Sequence, residues 1–270
     1  MIRSLYSAVS GLKNHQIKMD VIGNNIANVN TTGFKRSRTN FATQLSQTLN
    51  AASAAAIGGG GTNASQVGLG SMIGSIDQII TQGFNQTTGR NTDLMIQGAG
   101  YFALDMGGGK IAYTRNGDFG FDKAGNLVEM STGGKVCGID GTTAIPAFAA
   151  AASTLDVGID QLGNITVLED TGTIATIGQV GVVKFANESG LVNIGNGLLA
   201  ESTNSGAPAG AAAGVSGRGA ILSGSLEMSN VDLSTEMTDM IIAQRGFQAN
   251  SRVITVSDSL LQELIDLKRS

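Results

Sequence analysis

Large apolar residues recur at intervals of seven at both ends of this sequence, and that double periodicity constrains the fold more than any other feature. At the C-terminal end Leu233, Met240, Phe247, Ile254 and Leu261 fall at strict sevens, flanked by Met237, Ile241, Leu264 and Ile265. Near the N-terminus Leu5, Leu12, Met19 and Ile26 form one such row, and Ala8, His15, Ile22 and Val29 form a second. An apolar repeat of seven marks a helix that buries a narrow stripe against another helix. The spacing predicts helices over roughly 4–30 and 231–268, about 40 and 55 Å long at about 1.5 Å per residue. Asn30, Thr31, Thr32 and Gly33 close the first. The second opens on a capping-box spacing from Ser229 to Asp232, with Asp232, Glu236 and Asp239 near its start and Lys268 and Arg269 in its last turn. Each of these charges sits at the end that the helix dipole favours.

A heptad stripe left in water is unstable, so the two terminal helices are expected to pair as a coiled coil and to make everything between them an insert. Gly23 and Gly246 lie inside these helices. Each costs about 1 kcal/mol of helix propensity, which points to close backbone approach by neighbouring helices, and the neighbours expected are other copies of the chain. His15 lies on the seam and reads as a packed histidine.

Between the helices the periodicity changes. Residues 50–75 are rich in Gly, Ala and Ser, with Gly58 to Gly61 in a row. Such a stretch holds too few large apolar groups to offset its ordering entropy, and reads as a linker. From Leu94 onward short alternating segments follow one another: Leu94 and Ile96, Tyr101 and Phe102, Ile111 and Tyr113, Phe119 and Phe121. Asn116-Gly117 and Gly125-Asn126 are turn dipeptides, so Lys110 to Glu129 reads as a hairpin or meander. The segment Asp122-Lys-Ala-Gly-Asn-Leu-Val recurs as Asp160-Gln-Leu-Gly-Asn-Ile-Thr, a turn followed by a strand in both places, and Gly178 to Phe185 is a further strand. Residues 206–219 form a second loose stretch. The expected fold class is therefore α+β, with a small all-β domain inserted between long terminal helices. The expected division is 1–34 with 228–270 as the helical domain, 35–89 as an extended joint, 90–205 as the β domain and 206–227 as a return linker.

The chemistry-bearing residues are sparse. Only 14% of the 270 residues are charged and the net charge is −4, which is no footprint for nucleic acid. One cysteine, Cys137, excludes an internal disulfide and any zinc site that needs two thiolates, and reads as a small buried hydrophobe. His15 is the only histidine, so any Ser-His-Asp or Cys-His mechanism would have to be built around it. Gly107-Gly-Gly-Lys110 fails as a phosphate loop, because Leu104 stands where its first Gly belongs and Ile111 where Ser or Thr belongs. The stretch Gly68 to Gly74 is one residue too long for a dinucleotide fingerprint and reads as a turn. Lys35, Arg36 and Arg38 form a small basic cluster that reads as a solvated or subunit-contact face. The acidic residues show no calcium-loop spacing. No catalytic, cofactor-binding or metal-binding residue is expected. The N-terminus lacks the apolar core of a cleavable secretory signal, and the longest apolar run, Ala144 to Ala152, is too short to span a bilayer.

Residues 3–38, with Asp-Val-Ile-Gly-Asn-Asn-Ile-Ala-Asn-Val-Asn-Thr-Thr-Gly-Phe-Lys ending at Lys35, resemble the N-terminal signature of the bacterial flagellar rod and hook proteins. Gly224 to Val253, with Gly-Ser-Leu-Glu-Met-Ser-Asn-Val-Asp-Leu and Gln-Arg-Gly-Phe-Gln-Ala-Asn, resembles the family's C-terminal signature, and Tyr113-Thr-Arg-Asn-Gly-Asp-Phe its central β motif. The resemblance implies terminal helices paired around a central channel, a β domain outside them, and self-assembly into a torque-bearing helical tube. It implies no cofactor. It also implies partners: further copies of the chain, neighbouring axial proteins (rod, hook cap and hook–filament junction) and the flagellar type III export apparatus, without nucleic acid or membrane insertion. The implied location is the hook or basal body, reached by export from the cell.

Within the family, Gly60-Gly-Thr-Asn63, Gln66-Val-Gly-Leu-Gly70 and Thr88 to Leu94 resemble the short hook proteins of Gram-positive bacteria. A hook subunit is therefore the first expectation and a distal rod subunit the alternative. A segment that stiffens a rod would lie between Phe41 and Gly89, where this chain is rich in Gly and Ala. The seam residues expected to hold the assembly together are Leu5, Leu12, Met19, Ile22, Ile26, Val29, Leu233, Met240, Phe247, Ile254 and Leu261.

Overall fold

The computed structural model describes residues 2–54, 60–146, 154–169 and 174–269, so most of the Ala-rich run 144–152 and part of the Gly run 58–61 fall outside the described residues. The chain forms two compact units. One comprises Met1–Ala27, Ser37–Gln78 and Asp232–Ser270, and the other Asn28–Arg36 and Ile79–Val231.

The described residues of the first unit form two helices, α1 (Ile2–Ala27) and α2 (Leu233–Arg269), and four strands, β1 (Ser37–Thr43), β2 (Ser46–Asn50), β3 (Ser65–Gly68) and β4 (Ser71–Gln78). Helix α1 stops three residues short of the expected end. The Thr31 hydroxyl donates to the Asn28 side chain (3.1 Å) and the Thr31 N–H to the Asn28 carbonyl (3.2 Å), a local turn that competes with another helical turn. Val29 therefore lies outside the helix. Helix α2 is capped by Asp232 and not by Ser229. The Asp232 carboxylate accepts from the Ser234 N–H (3.0 Å) and the Thr235 hydroxyl (2.7 Å), while the Ser229 hydroxyl accepts from the Val231 N–H (3.2 Å).

Strands β1 and β4 pair antiparallel from Ser37 opposite Gln78 to Thr43 opposite Ser71, with a bulge at Asn40/Phe41. Strands β2 and β3 continue the ribbon from Ser46 opposite Gly68 to Asn50 opposite Ser65. The segment read as an extended joint thus carries a two-stranded ribbon. Its Ser, Thr, Asn and Gly residues give no alternating apolar signal, and its order comes from the ladder and from α1. Asn25 donates to the Ser37 carbonyl (2.9 Å), Asn14 to the Ser71 hydroxyl (2.8 Å), and the His15 and Phe41 ring centroids lie 5.8 Å apart.

Among its described residues the second unit is all β apart from one 3₁₀ turn. Its main sheet runs Val192–Gly195, Leu198–Ala200, Ile111–Thr114, Tyr101–Asp105, Lys135–Val136, Leu127–Glu129, Phe119–Phe121, with Gly181–Lys184 bridging Tyr101–Asp105 to Ala209–Ala212. Tyr101–Asp105 sits at the centre and is apolar on both faces. Phe102 and Leu104 join a core with Leu94, Phe119, Val136, Ile165 and Ile221, while Tyr101 and Ala103 face Tyr113, Val183 and Phe185. The Phe102–Phe119 and Tyr113–Phe185 rings meet edge to face at 5.1 and 4.8 Å. The repeated Asp-x-x-Gly-Asn segments make matching turns. Asp122 and Asp160 each donate N–H to the Asn four residues on (3.0 Å in both), and each turn joins two antiparallel strands.

Two expectations for this unit need correction. Ile111–Thr114 pairs with Tyr101–Asp105 and Leu198–Ala200, so 110–129 is not one local hairpin. The stretch read as a return linker holds the strands Ala209–Ala212, Ala220–Ser223 and Ser225–Glu227, each completing a ladder with a distant partner. Cys137 is buried and unpaired in a disulfide, and burial pushes its thiol up to about 11, which keeps it protonated.

Candidate assembly surface

Within the helical unit α1 and α2 run antiparallel along each other. A Cβ built on Gly11 would stand 2.8 Å from the Asn250 side chain, and one on Gly246 would stand 2.5 Å from the His15 ring. Lys18 Nζ lies 3.6 Å from the Asp239 carboxylate, and Asn25 donates to the Glu236 carboxylate (3.1 Å). Gly246 thus permits the close approach that its cost to the helix implied, with the other helix of the same chain as the neighbour. A Cβ on Gly23 would meet nothing within 4 Å, and the second close approach is at Gly11. On α2 the least exposed side reads Glu236, Met240, Ala243, Phe247, Asn250, Ile254, Ser257, Leu261, in alternating steps of four and three. The facing side of α1 reads Ala8, Gly11, His15, Lys18, Ile22, Asn25 in the complementary steps.

The expected seam residues fall as follows. Ile22 is buried, Leu5, Leu12, Met19 and Ile26 are half-buried on α1, and Met240, Phe247, Ile254 and Leu261 are half-buried on α2. Leu233 is exposed at the start of α2, and Val29 belongs to the other unit. The sequence reading missed the small and polar half of the seam: Gly11, Asn25, Glu236, Ala243, Asn250 and Ser257. Their only signal was position, one step of three or four from the apolar row.

His15 sits in this seam with its Nδ1 lacking a hydrogen-bond partner among the described residues. Burial, and then the nearby Lys18 ammonium, hold its pKa below 6.5. Between that lowered value and 6.5 the unfolded chain binds a proton that the folded chain does not, so stability falls as pH falls through this window. Because His15 is the only histidine, the thermal midpoint of the helical unit is expected to drop on acidification below pH 6.5 in the parent. In His15→Gln the slope should be flat there. An equal slope in both chains would overturn the assignment.

The outward side of α2 carries a second apolar row. Ile241 and Val256 are each 57% exposed, and Met237, Ile242, Val253 and Leu260 accompany them, while Leu264 and Ile265, exposed as well, continue the inner row beyond Leu261. Tyr6, Val9 and Ile17 are exposed on α1, and Leu45, Leu49, Met72 and Ile76 on the ribbon. Apolar surface on this scale marks an interaction face. No helix among the described residues is long and apolar enough to cross a membrane.

The second unit contains an ion cluster that the sequence reading did not find. Lys35, read as part of a solvated basic face, is buried with its Nζ 2.5 Å from Glu227 Oε1 and 2.8 Å from the Thr81 carbonyl. Arg115 donates to Glu227 Oε2 (3.1 Å) and to the Gly98 carbonyl (2.8 Å), and lies 5.3 Å from the centre of the Tyr101 ring. The Gly83 N–H also reaches Glu227 Oε1, at 2.9 Å. Burial lowers the Lys35 pKa, and the Glu227 carboxylate opposes that shift. The Gly33 N–H donates to the Glu227 carbonyl (2.8 Å) and the Arg36 N–H to the Asn230 side chain (2.8 Å). The strand-free stretch 28–36 is thereby fastened to the stretch 227–230.

Comparison with known proteins matches three stretches of the chain to family models. Residues 5–35 match the model "Flagella basal body rod protein", 95–185 match "Flagellar hook protein FlgE/F/G D1 domain", and 222–267 match "Flagellar basal body rod FlgEFG protein C-terminal". The flagellar basal-body rod protein FlgG of Bacillus subtilis (strain 168) is 52% identical over 271 positions, covering 100% of both chains. The same-named protein of Caulobacter vibrioides is 37% identical over 270, covering 99% of this chain and 100% of its own. The flagellar hook protein FlgE of Treponema pallidum (strain Nichols) is 30% identical over an alignment of 466 positions that covers 100% of both.

Proposed function

Because the chain belongs to the family of flagellar rod and hook proteins, we propose that it is an axial subunit of the flagellum that self-assembles into a helical, torque-bearing tube through its terminal helices. The observation that carries this reading is the apolar row along the outer side of α2, with Ile241 and Val256 at its centre. A coiled-coil seam covers the inner side of the same helix, and neighbouring copies cover the outer. The relatives are structural proteins and the role is mechanical, with no reaction to catalyse. Arrival through the flagellar export apparatus and contact with adjoining axial proteins belong to the same reading.

Of the two positions in the flagellum, the distal rod is the one we favour. The 52% identity to a rod protein extends over the full length without a large insertion, whereas the alignment to a 30% identical hook protein runs to 466 positions. The paired ribbon over 37–78 also occupies the stretch where a rod-stiffening element belongs. The hook reading rests on hook relatives that match this chain from end to end. Immunogold labelling of isolated hook–basal-body complexes, with antibody raised against residues 90–200, separates them. Label on the straight shaft supports the rod, and label along the curved segment supports the hook.

Assembly itself is tested by Ile241→Glu combined with Val256→Glu. Both side chains are exposed in the single chain, so the thermal midpoint is expected to stay within a few degrees of the parent while tube formation and motility are lost. Motile cells carrying only this variant would remove α2's outer row from the assembly.

A further inference from the structure

The chain passes between its two units after Ala27, Arg36, Gln78 and Val231. Within the β unit the stretches beside these points, 28–36, 79–84 and 227–231, are bonded to one another. The Asn230 side chain is their hub. It accepts from the Arg36 N–H (2.8 Å) and donates to the Ile79 carbonyl (2.8 Å), while the Ile79 N–H donates to the Arg36 carbonyl (2.9 Å), which closes a ring of three bonds. Glu227 ties the same three stretches together, through Lys35, the Gly83 N–H and, by its carbonyl, the Gly33 N–H. The Met228 N–H adds a bond to the Phe84 carbonyl (2.8 Å).

The direction of these bonds decides how they meet force. Gly33 bonds to Glu227 and Arg36 to Asn230, three residues further along in both stretches, so 28–36 and 227–231 run parallel. When the chain is pulled by its two ends, the first stretch is drawn from its N-terminal side and the second from its C-terminal side. In a parallel pair those are opposite ends, so tension shears the pair and loads every bond at once. Helices α1 and α2 run antiparallel, so the start of α1 and the end of α2 lie at one end of their seam, and the same tension parts them contact by contact.

We propose that the three stretches form a mechanical clamp, keyed by Asn230 and Glu227, that bears tension between the two ends of the chain and keeps it from the β sheet. Sliding the pair must part Lys35 from Glu227 while both are buried, which strands two charges away from water. The clamp stands on its own geometry. Its use, to keep a subunit folded under torque, rests on the axial-subunit reading.

The test stretches single full-length chains between their termini at a fixed force. Asn230→Ala removes the ring and is expected to release the β unit about tenfold faster than the parent. Ile165→Ala opens the apolar core and takes no part in the clamp, so it should lower the thermal midpoint while leaving the release rate at the parent's value. Equal release rates in Asn230→Ala and the parent would overturn the clamp, and so would equal acceleration by both variants. A change of pulling direction tests the same claim with the clamp residues intact. Arg38 is exposed and lies just past the C-terminal side of 28–36, and Cys137→Ser removes the native thiol, so Arg38→Cys supplies a single point of attachment. Pulling from that cysteine and the C-terminus draws both stretches from their C-terminal sides and unzips them. Release is expected at a lower force than between the termini, and release at an equal or higher force would overturn the shear geometry. Both readouts use isolated chains, so their failure leaves the axial reading standing, and loss of the axial reading leaves the clamp.

Discussion

Replacing Glu227 by Leu is expected to lower the unfolding temperature of the β unit by roughly 10 °C. The carboxylate is fully buried and holds Lys35, Arg115 and the Gly83 N–H at once. Removing one partner of a buried ion pair costs roughly 3–5 kcal/mol, because the remaining charge stays out of water without compensation, and here two cations are stranded. For a unit of this size each kcal/mol is worth about 2–4 °C. The triple variant Lys35→Met, Arg115→Met, Glu227→Leu removes the charges together with the carboxylate and should recover most of the loss, since apolar groups of similar volume often replace a buried triad at little cost. Circular dichroism melts of the parent, single and triple variants read this directly. A single variant within a few degrees of the parent would mean that water reaches the cluster.

Phe247→Asp is expected to abolish assembly altogether. Phe247 lies on the inner row of α2 between Ala243 and Asn250, immediately after Gly246, which meets His15. A carboxylate there must either be drawn from water into the helix seam or force the helices apart, and either outcome displaces the outer row of α2 from its neighbours. Phe247→Leu keeps an apolar group and should retain assembly at reduced stability. Cells producing only the Asp variant are expected to be non-motile, with the protein absent from purified axial structures. Normal tubes from that variant would show that the seam does not support the polymer.

The helices were legible because Leu, Met, Phe and Ile recur at sevens, and that signal survives without any knowledge of tertiary contacts. Only half the seam was legible, because Ala243, Asn250 and Ser257 do in the structure what large apolar residues usually do. Close approach selects small side chains, and small side chains carry little hydrophobic signal. Ile241, read as flanking the seam, turns away from it, and so does Val256, which carried no such reading. The ribbon over 37–78 escaped notice for the same reason, since its order comes from hydrogen bonds and from α1. Lys35 was misread because its counter-charge lies 192 residues away in sequence, where no local pattern can show it. The β turns at Asp122 and Asp160 were legible because their hydrogen bonds span only four residues.

The distance along the chain between Lys35 and Glu227 also bears on when the β unit can form. A contact of that sequence separation closes a long loop, and its entropy must be met before the contact returns anything. Until residue 227 is present, Lys35 and Arg115 have no carboxylate to accompany them into the interior, and the strand Ser225–Glu227 is missing from its ladder with Asn85–Thr87. A chain that emerges N-terminus first therefore holds its β unit open through most of its length. It completes that unit only as the segment leading into α2 arrives, so the last helix and the finished β unit become available within moments of each other.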